Sequence, residues 1–171
     1  MNRFFQFSFS LIAMALLIVS CNSKPSGEVA KTEEAKPASE AAVPASAKGF
    51  AVNTSSSKVM WTGSKPTGSH TGTINVAEGK LSVEDGNLVG GKFVIDMKSI
   101  ACTDLKAGDG KEDLEAHLKG ETAGKEDHFF NVAKYPTASF IITKVEANTT
   151  DPDATHNITG NLTMKETTKS I

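Results

Sequence analysis

Apolar and polar residues alternate along most of the chain after Phe50, and this period of two constrains the fold more than any other feature of the sequence. Phe93, Ile95 and Met97, for example, fall on one face of a single predicted strand. The same alternation recurs around residues 59–61, 74–76, 81–83, 140–145 and 158–164. Turn-forming Asn, Asp and Gly residues separate these segments at 84–87 and 148–153. The pattern predicts a mainly β protein built as an antiparallel meander.

A meander with one apolar face must close on itself or pack against a second layer. Glycines at 72, 90, 91 and 160 lie inside the predicted strands, where they favour the bulges and bends that a curling sheet needs. We therefore expect an extended, lipocalin-like antiparallel β-barrel with an apolar interior. A barrel or sandwich whose interior is filled by side chains is the open alternative.

One segment breaks the alternation. Between Ala107 and Gly120, Leu114 and Leu118 are four residues apart in a charged sequence, which predicts one short amphipathic α-helix in a long connection between strands. Gly120 is a suitable residue to end this helix.

The first 20 residues have the features of a secretory signal peptide. Arg3 precedes an apolar run that ends at Ser20, and the run is shorter than the ~20 residues that span a bilayer. Cys21 follows directly, and a cysteine after a small residue resembles the bacterial lipobox. That resemblance implies acylation of Cys21 and a lipid-anchored protein of the bacterial cell envelope, either periplasmic or associated with the outer membrane. An ordinary signal peptide with an incidental cysteine is the alternative.

Composition divides the rest of the chain in two. Residues 21–48 are rich in Ala, Ser, Lys, Glu and Pro and contain no aromatic residue, so they bury too little apolar surface to offset the entropy of ordering. We expect a lipidated, disordered linker there and a single domain over 49–171.

Charge and residue spacing argue against several function classes. The net charge is −2 and Arg3 is the only arginine, so no nucleic-acid partner is expected. The four histidines show no metal-binding or catalytic spacing, so the sequence predicts no metal site, no cofactor and no enzyme. Acylation of Cys21 leaves Cys102 as the only free thiol, which we expect to be packed.

The order of several motifs resembles the YceI-like family over about residues 50–171. The motifs are Trp61-Thr62-Gly63, 68–72, 93–100, 113–118, the Phe129-Phe130 to Tyr135-Pro136 segment, 138–140 and 158–165. The resemblance implies a secreted or lipid-anchored bacterial protein with an antiparallel barrel of lipocalin type. It also implies an interior that holds a long apolar chain, such as a polyisoprenoid, an isoprenoid quinone or a fatty amide.

Two departures from the family pattern bear on the fold. The connection at 119–128 is longer than is usual in the family, so the loop after the helix is expected to be remodelled. Family members also continue through further strands beyond the position of 169–171. The resemblance therefore implies a C-terminally truncated, incomplete barrel with an unpaired edge and a partly open cavity.

The apolar strand faces supply the candidate ligand-binding residues. The expected lining comprises Trp61, Ile74, Phe93, Ile95, Phe129, Phe130, Phe140, Ile142 and Leu162. Ordinary core packing is the alternative for each of them, and only the family resemblance favours a cavity. His70, flanked by Ser69 and Thr71, is a candidate contact for a ligand headgroup, with a turn cap as the alternative.

Together these features favour a non-enzymatic binder or carrier of an amphiphilic lipid, tethered to a membrane through its acylated N-terminus. A filled β-fold acting as an envelope interaction or stress-response module is the second hypothesis. A small-molecule enzyme that uses His70 or His117 is a third, weaker one. A homodimer is left open.

Overall fold

The structure, a computed structural model, describes residues 30–37 and 43–171. The predicted signal peptide at 1–20 and the acylated Cys21 lie outside the described residues. The described strands and helix are β1 (Glu33–Glu34), β2 (Lys48–Ala51), β3 (Lys58–Lys65), β4 (Gly68–Glu84), β5 (Asn87–Cys102), α1 (Lys111–Lys119), β6 (Thr137–Ala147), β7 (His156–Met164) and β8 (Thr167–Ser170).

The eight strands form one antiparallel sheet in the order β1-β8-β7-β6-β5-β4-β2, with β3 also paired to β4. β2 and β3 share the free side of β4, because β3 pairs with its first half and β2 with its second. Within 30–37 and 43–171, no pairing joins the β3 side to the β8 side, so this sheet is open. The predicted mainly β, antiparallel, incompletely closed lipocalin-like fold with one short helix is confirmed.

The two longest strands, β4 and β5, form a hairpin that bends along its length. Its turn places Asp85 and Gly86 at positive φ values of 49° and 83°, as hairpin turns require. Three register shifts interrupt the ladder, after Thr73, after Val76 and between Ser82 and Val83. Such bulges bend and twist a strand, so they let the inner face of the hairpin become concave.

The helix α1 covers one end of the inner face. It ends at Gly120, whose left-handed conformation (φ 80°) lets its N–H reach the carbonyl groups of Ala116 and His117. Leu118 is buried and Leu114 packs against the same core. The predicted helix and its terminating glycine are therefore present.

The buried core lies between this helical end and the sheet. It consists of Ile74, Ile95, Met97, Ile100, Leu118, Val132 and Ala138. The period-two faces of β4 and β5 supply most of these residues, and the segment between α1 and β6 supplies Val132.

Part of the predicted linker has a defined place in the fold. β1 pairs with β8, and the Asn161 side chain accepts a hydrogen bond from the Lys36 N–H (3.0 Å) and donates one to the Lys36 carbonyl oxygen (2.6 Å). These contacts were not expected, because residues 21–48 were predicted to form a disordered linker. They form because the outer edge of β8 presents unpaired backbone groups, which a nearby extended segment satisfies.

Candidate functional site

A cavity of about 700 Å³ lies inside the curl of the sheet. This volume is within the range of ~300–1,000 Å³ that small-molecule sites occupy. Its wall is almost wholly apolar, because the inner-face residues of β3, β4, β5, β6 and β7 point into it. Trp61, Ile74, Phe93, Ile95, Phe140 and Leu162 are among the lining residues.

The structure brings together eight of the nine residues that were predicted to line a cavity. These eight are Trp61, Ile74, Phe93, Ile95, Phe129, Phe130, Phe140 and Leu162. Ile142 does not line this cavity; it lies instead in a smaller pocket of about 340 Å³ beside Val43. Although Ile142 shares the face of Phe140, the cavity lining on β6 ends at Phe140.

Further lining residues were not singled out from the sequence. They include Val52, Val59, Val76, Leu81, Met97, Ile100, Leu118, Ala138, Met164 and Ile171. Most of them follow the same alternation of apolar and polar residues, so the sequence could have identified them. Leu118 reaches the cavity from the helix.

Solvent-exposed lining residues mark the opening of the cavity. Phe129 is 47 % exposed and Ile171 is 37 % exposed, and Lys58 is exposed as well. Among the lining residues that the structure describes, Lys58 is the only charged one; its Nζ donates to the Asn75 Oδ1 at 2.5 Å. Ile74 and Val76 line the cavity, so alternation places Asn75, and the Lys58 ammonium bonded to it, on the outer face of the sheet. The apolar wall itself suits a hydrocarbon chain.

Aromatic rings shape the wall at two places. Phe93 and Phe140 are paired in register on β5 and β6, with ring centroids 6.5 Å apart and planes tilted by 39°. At the helical end, the Phe129 ring meets the His117 ring edge to face at 5.2 Å. Phe129, which is exposed, therefore lies at the mouth of the cavity, whereas Phe130 packs against the core.

His70 does not line the cavity. Its Nδ1 lies 3.0 Å from the Asp104 Oδ2, and the other carboxylate oxygen accepts hydrogen bonds from the Cys102 thiol (3.0 Å) and the Thr71 N–H (2.9 Å). These bonds, with the thiol contributing most, hold the pKa of Asp104 well below its usual range. Burial raises the pKa of the Cys102 thiol, because desolvation disfavours the thiolate.

A model of the YceI-like domain matches residues 50–171 of the chain. The chain belongs to the YceI-like family. The match extends from β2 to β8, so the YceI-like domain contains the helix, the whole described cavity wall and the His70–Cys102–Asp104 cluster. The strand β1 lies outside the matched range.

Beyond the family model, no curated protein matches this YceI-like chain. In the segments that the structure describes, α1 is far too short to cross a lipid bilayer and no other helix has the length and hydropathy to do so.

The hydrogen bonds that the structure describes for His70 and His117 join them to Asp104 and His128, not to a nucleophilic side chain. The Asp104 carboxylate lies between the Cys102 thiol and the His70 imidazole, so the imidazole is not placed to take the thiol proton as the base of a Cys–His pair must. His117 faces His128 instead, with 3.3 Å between Nε2 and Nδ1. Neither arrangement supports the third hypothesis, an enzyme that uses His70 or His117.

Proposed function

We propose that this YceI-like protein binds, without catalysing a reaction, one long apolar or amphiphilic lipid in its central cavity. A polyisoprenoid, an isoprenoid quinone or a fatty amide is the expected ligand class. The observation that carries the proposal is the apolar cavity of about 700 Å³ between the sheet and the helix.

Burial of hydrocarbon supplies the binding free energy in this proposal. Each buried CH₂ contributes roughly 0.8 kcal/mol, so an isoprenoid chain needs few polar contacts to bind well. The polar end of the lipid would lie at the solvent-exposed opening of the cavity. Exposed Phe129 at the mouth would cover the first part of the chain.

The second hypothesis, a filled β-fold that works only as an envelope interaction module, has less support. A filled interior would bring the inner faces into direct contact, as in an ordinary core. The space between Trp61, Phe93 and Leu162 argues for a ligand instead.

The proposal includes a location in the bacterial cell envelope. An acylated Cys21 would hold the domain at a membrane surface, periplasmic or associated with the outer membrane, close to the lipids it binds. Replacement of Cys21 by Ser should release the protein from the membrane fraction; unchanged fractionation would refute the anchor.

Two adjacent residues on β6 give a matched test of the cavity. Phe140 lines the cavity, whereas Ile141 lines smaller pockets outside it. Native mass spectrometry of the full chain, incubated with a polyprenyl phosphate, should show one lipid bound to the parent protein and to Ile141→Glu but none to Phe140→Glu. Leu81→Trp, which fills the cavity without burying a charge, should also lose the lipid.

Circular dichroism and denaturant unfolding would establish that each variant is folded. A parent protein that binds no lipid would refute the proposal. Equal binding by the parent, Phe140→Glu and Leu81→Trp would place the lipid elsewhere and refute the cavity assignment.

A further inference from the structure

Three side chains with different metal-binding atoms meet at the end of the β4–β5 hairpin that lies opposite its turn. The His70 Nδ1, the Cys102 Sγ and a carboxylate oxygen of Asp104 all lie within 4.8 Å of one another. Their positions follow from the register: Gly72 pairs with Cys102, so His70 and Asp104 face each other two residues further along the two segments.

The donor set is chemically specific. Imidazole nitrogen, thiolate sulfur and carboxylate oxygen are the three ligand types that Zn²⁺ uses in proteins, at roughly 2.0–2.3 Å from the ion. Tetrahedral geometry at those bond lengths separates neighbouring ligand atoms by about 3.3–3.7 Å. The His70 Nδ1 and the Cys102 Sγ each lie 3.0 Å from Asp104, but from different oxygens of its carboxylate. A rotation of this carboxylate that brings one oxygen toward both partners would complete the spacing.

The surroundings of the cluster also resemble those of a metal site. The Thr71 N–H holds one Asp104 oxygen at 2.9 Å, and the backbone N–H of Cys102 is held by Glu115 Oε1 at 2.8 Å. Hydrogen bonds of this kind orient ligands around a metal. The Cys102 side chain is fully buried, whereas those of His70 and Asp104 are 32 % and 35 % exposed, which leaves a route from solvent.

We propose that His70, Cys102 and Asp104 bind one divalent transition-metal ion of the zinc type, at a site separate from the lipid cavity. Three protein ligands fill three of the four tetrahedral positions and leave one for water. Binding releases the thiol proton to solvent, and metal–ligand bonds replace the hydrogen bonds within the cluster. The sequence alone predicted no metal site, because the three ligands become neighbours only through strand pairing.

The test uses the full chain with Cys21→Ser, so that Cys102 is the single thiol. Titration with Zn²⁺, followed by calorimetry, should give one equivalent bound. Titration with Co²⁺ should give the near-ultraviolet charge-transfer absorption of a thiolate–cobalt bond. Both signals should be lost in Cys102→Ser, whose hydroxyl still donates to Asp104, and in His70→Asn, whose amide can do the same.

His117→Asn is the matched control, because His117 and His128 form a close pair of imidazoles outside the cluster. Zn²⁺ should bind this variant as it binds the parent, and should raise the melting temperature of both but not that of Cys102→Ser. The absence of Zn²⁺ binding by the parent would overturn the proposal. So would binding that survives Cys102→Ser, or binding that is lost in His117→Asn.

Discussion

The indole ring of Trp61 occupies the space that a side chain at Gly72 would need. The two residues are direct partners across β3 and β4, and a Cβ on Gly72 would lie 2.5 Å from two atoms of the ring and would also clash with the Ala101 carbonyl oxygen. The absence of a side chain at this position therefore lets the only tryptophan of the chain lie against the cavity wall.

Substitution of Gly72 by Ala should destabilise the domain strongly. The added methyl group meets backbone as well as the indole ring, and overpacking of this kind costs about 1–3 kcal/mol or more. The free energy of unfolding in urea measures the effect. Gly63→Ala is the control, because its Cβ would make an ordinary 3.6 Å contact with the same ring; equal losses in both variants would contradict this account.

Asn161→Ala should release the segment that contains β1. The Asn161 side chain makes two hydrogen bonds with the backbone of Lys36, and at about 1 kcal/mol each their loss predicts at least tenfold faster amide exchange in residues 33–36. Hydrogen-exchange mass spectrometry of the full chain would measure this. Asn157→Ala, on the exposed part of the same strand, should leave that exchange unchanged, and protection that persists in Asn161→Ala would show that β1 is held by other contacts.

Tyr135→Phe should raise the pKa of Glu166. The Tyr135 hydroxyl donates to the Glu166 carboxylate at 2.6 Å, and this bond, with a smaller effect of Lys134, holds the pKa of that carboxyl below its ordinary value. Nuclear magnetic resonance titration of the side-chain carboxyl should show the shift. Glu112, whose pKa is lowered by its own N–H and that of Gly108, should titrate identically in both proteins.

The Tyr135–Glu166 hydrogen bond also determines how the stability of the domain should change with pH. Because the pKa of Glu166 is lowered on folding, its contribution to stability is present above the unfolded pKa of about 4.3 and is lost as the pH falls through the folded value. The difference in stability between the parent and Tyr135→Phe should therefore narrow on acidification. A difference that stays constant down to acid pH would contradict the role given to Tyr135.

The alternation of residues predicted the sheet and most of the cavity wall, because period two assigns each side chain to a face whatever the pairing. Phe93, Phe140 and Leu162 lie where that rule puts them. Ile142 obeys the same rule but lies away from the main cavity, since alternation gives the face of a residue and not how far along the strand a cavity extends.

Features that depend on register could not be predicted in the same way. His70 and Asp104 are 34 residues apart in sequence, and only the pairing of β4 with β5 brings them together. The pairing of β1 with β8 likewise depends on the open edge of β8. The segment that contains β1 has a composition that indicates disorder. Both are tertiary contacts with little local sequence signal.

Trp61 provides the most direct measurement of the central claim, since this single tryptophan lines the cavity. Titration of the full chain with an isoprenoid quinone, which quenches indole fluorescence on contact, should give saturable quenching that ends at one quinone per chain. Phe140→Glu should abolish the saturable part, and Ile141→Glu should retain it. Quenching no greater than that of free tryptophan at the same quinone concentration would contradict a lipid-binding cavity.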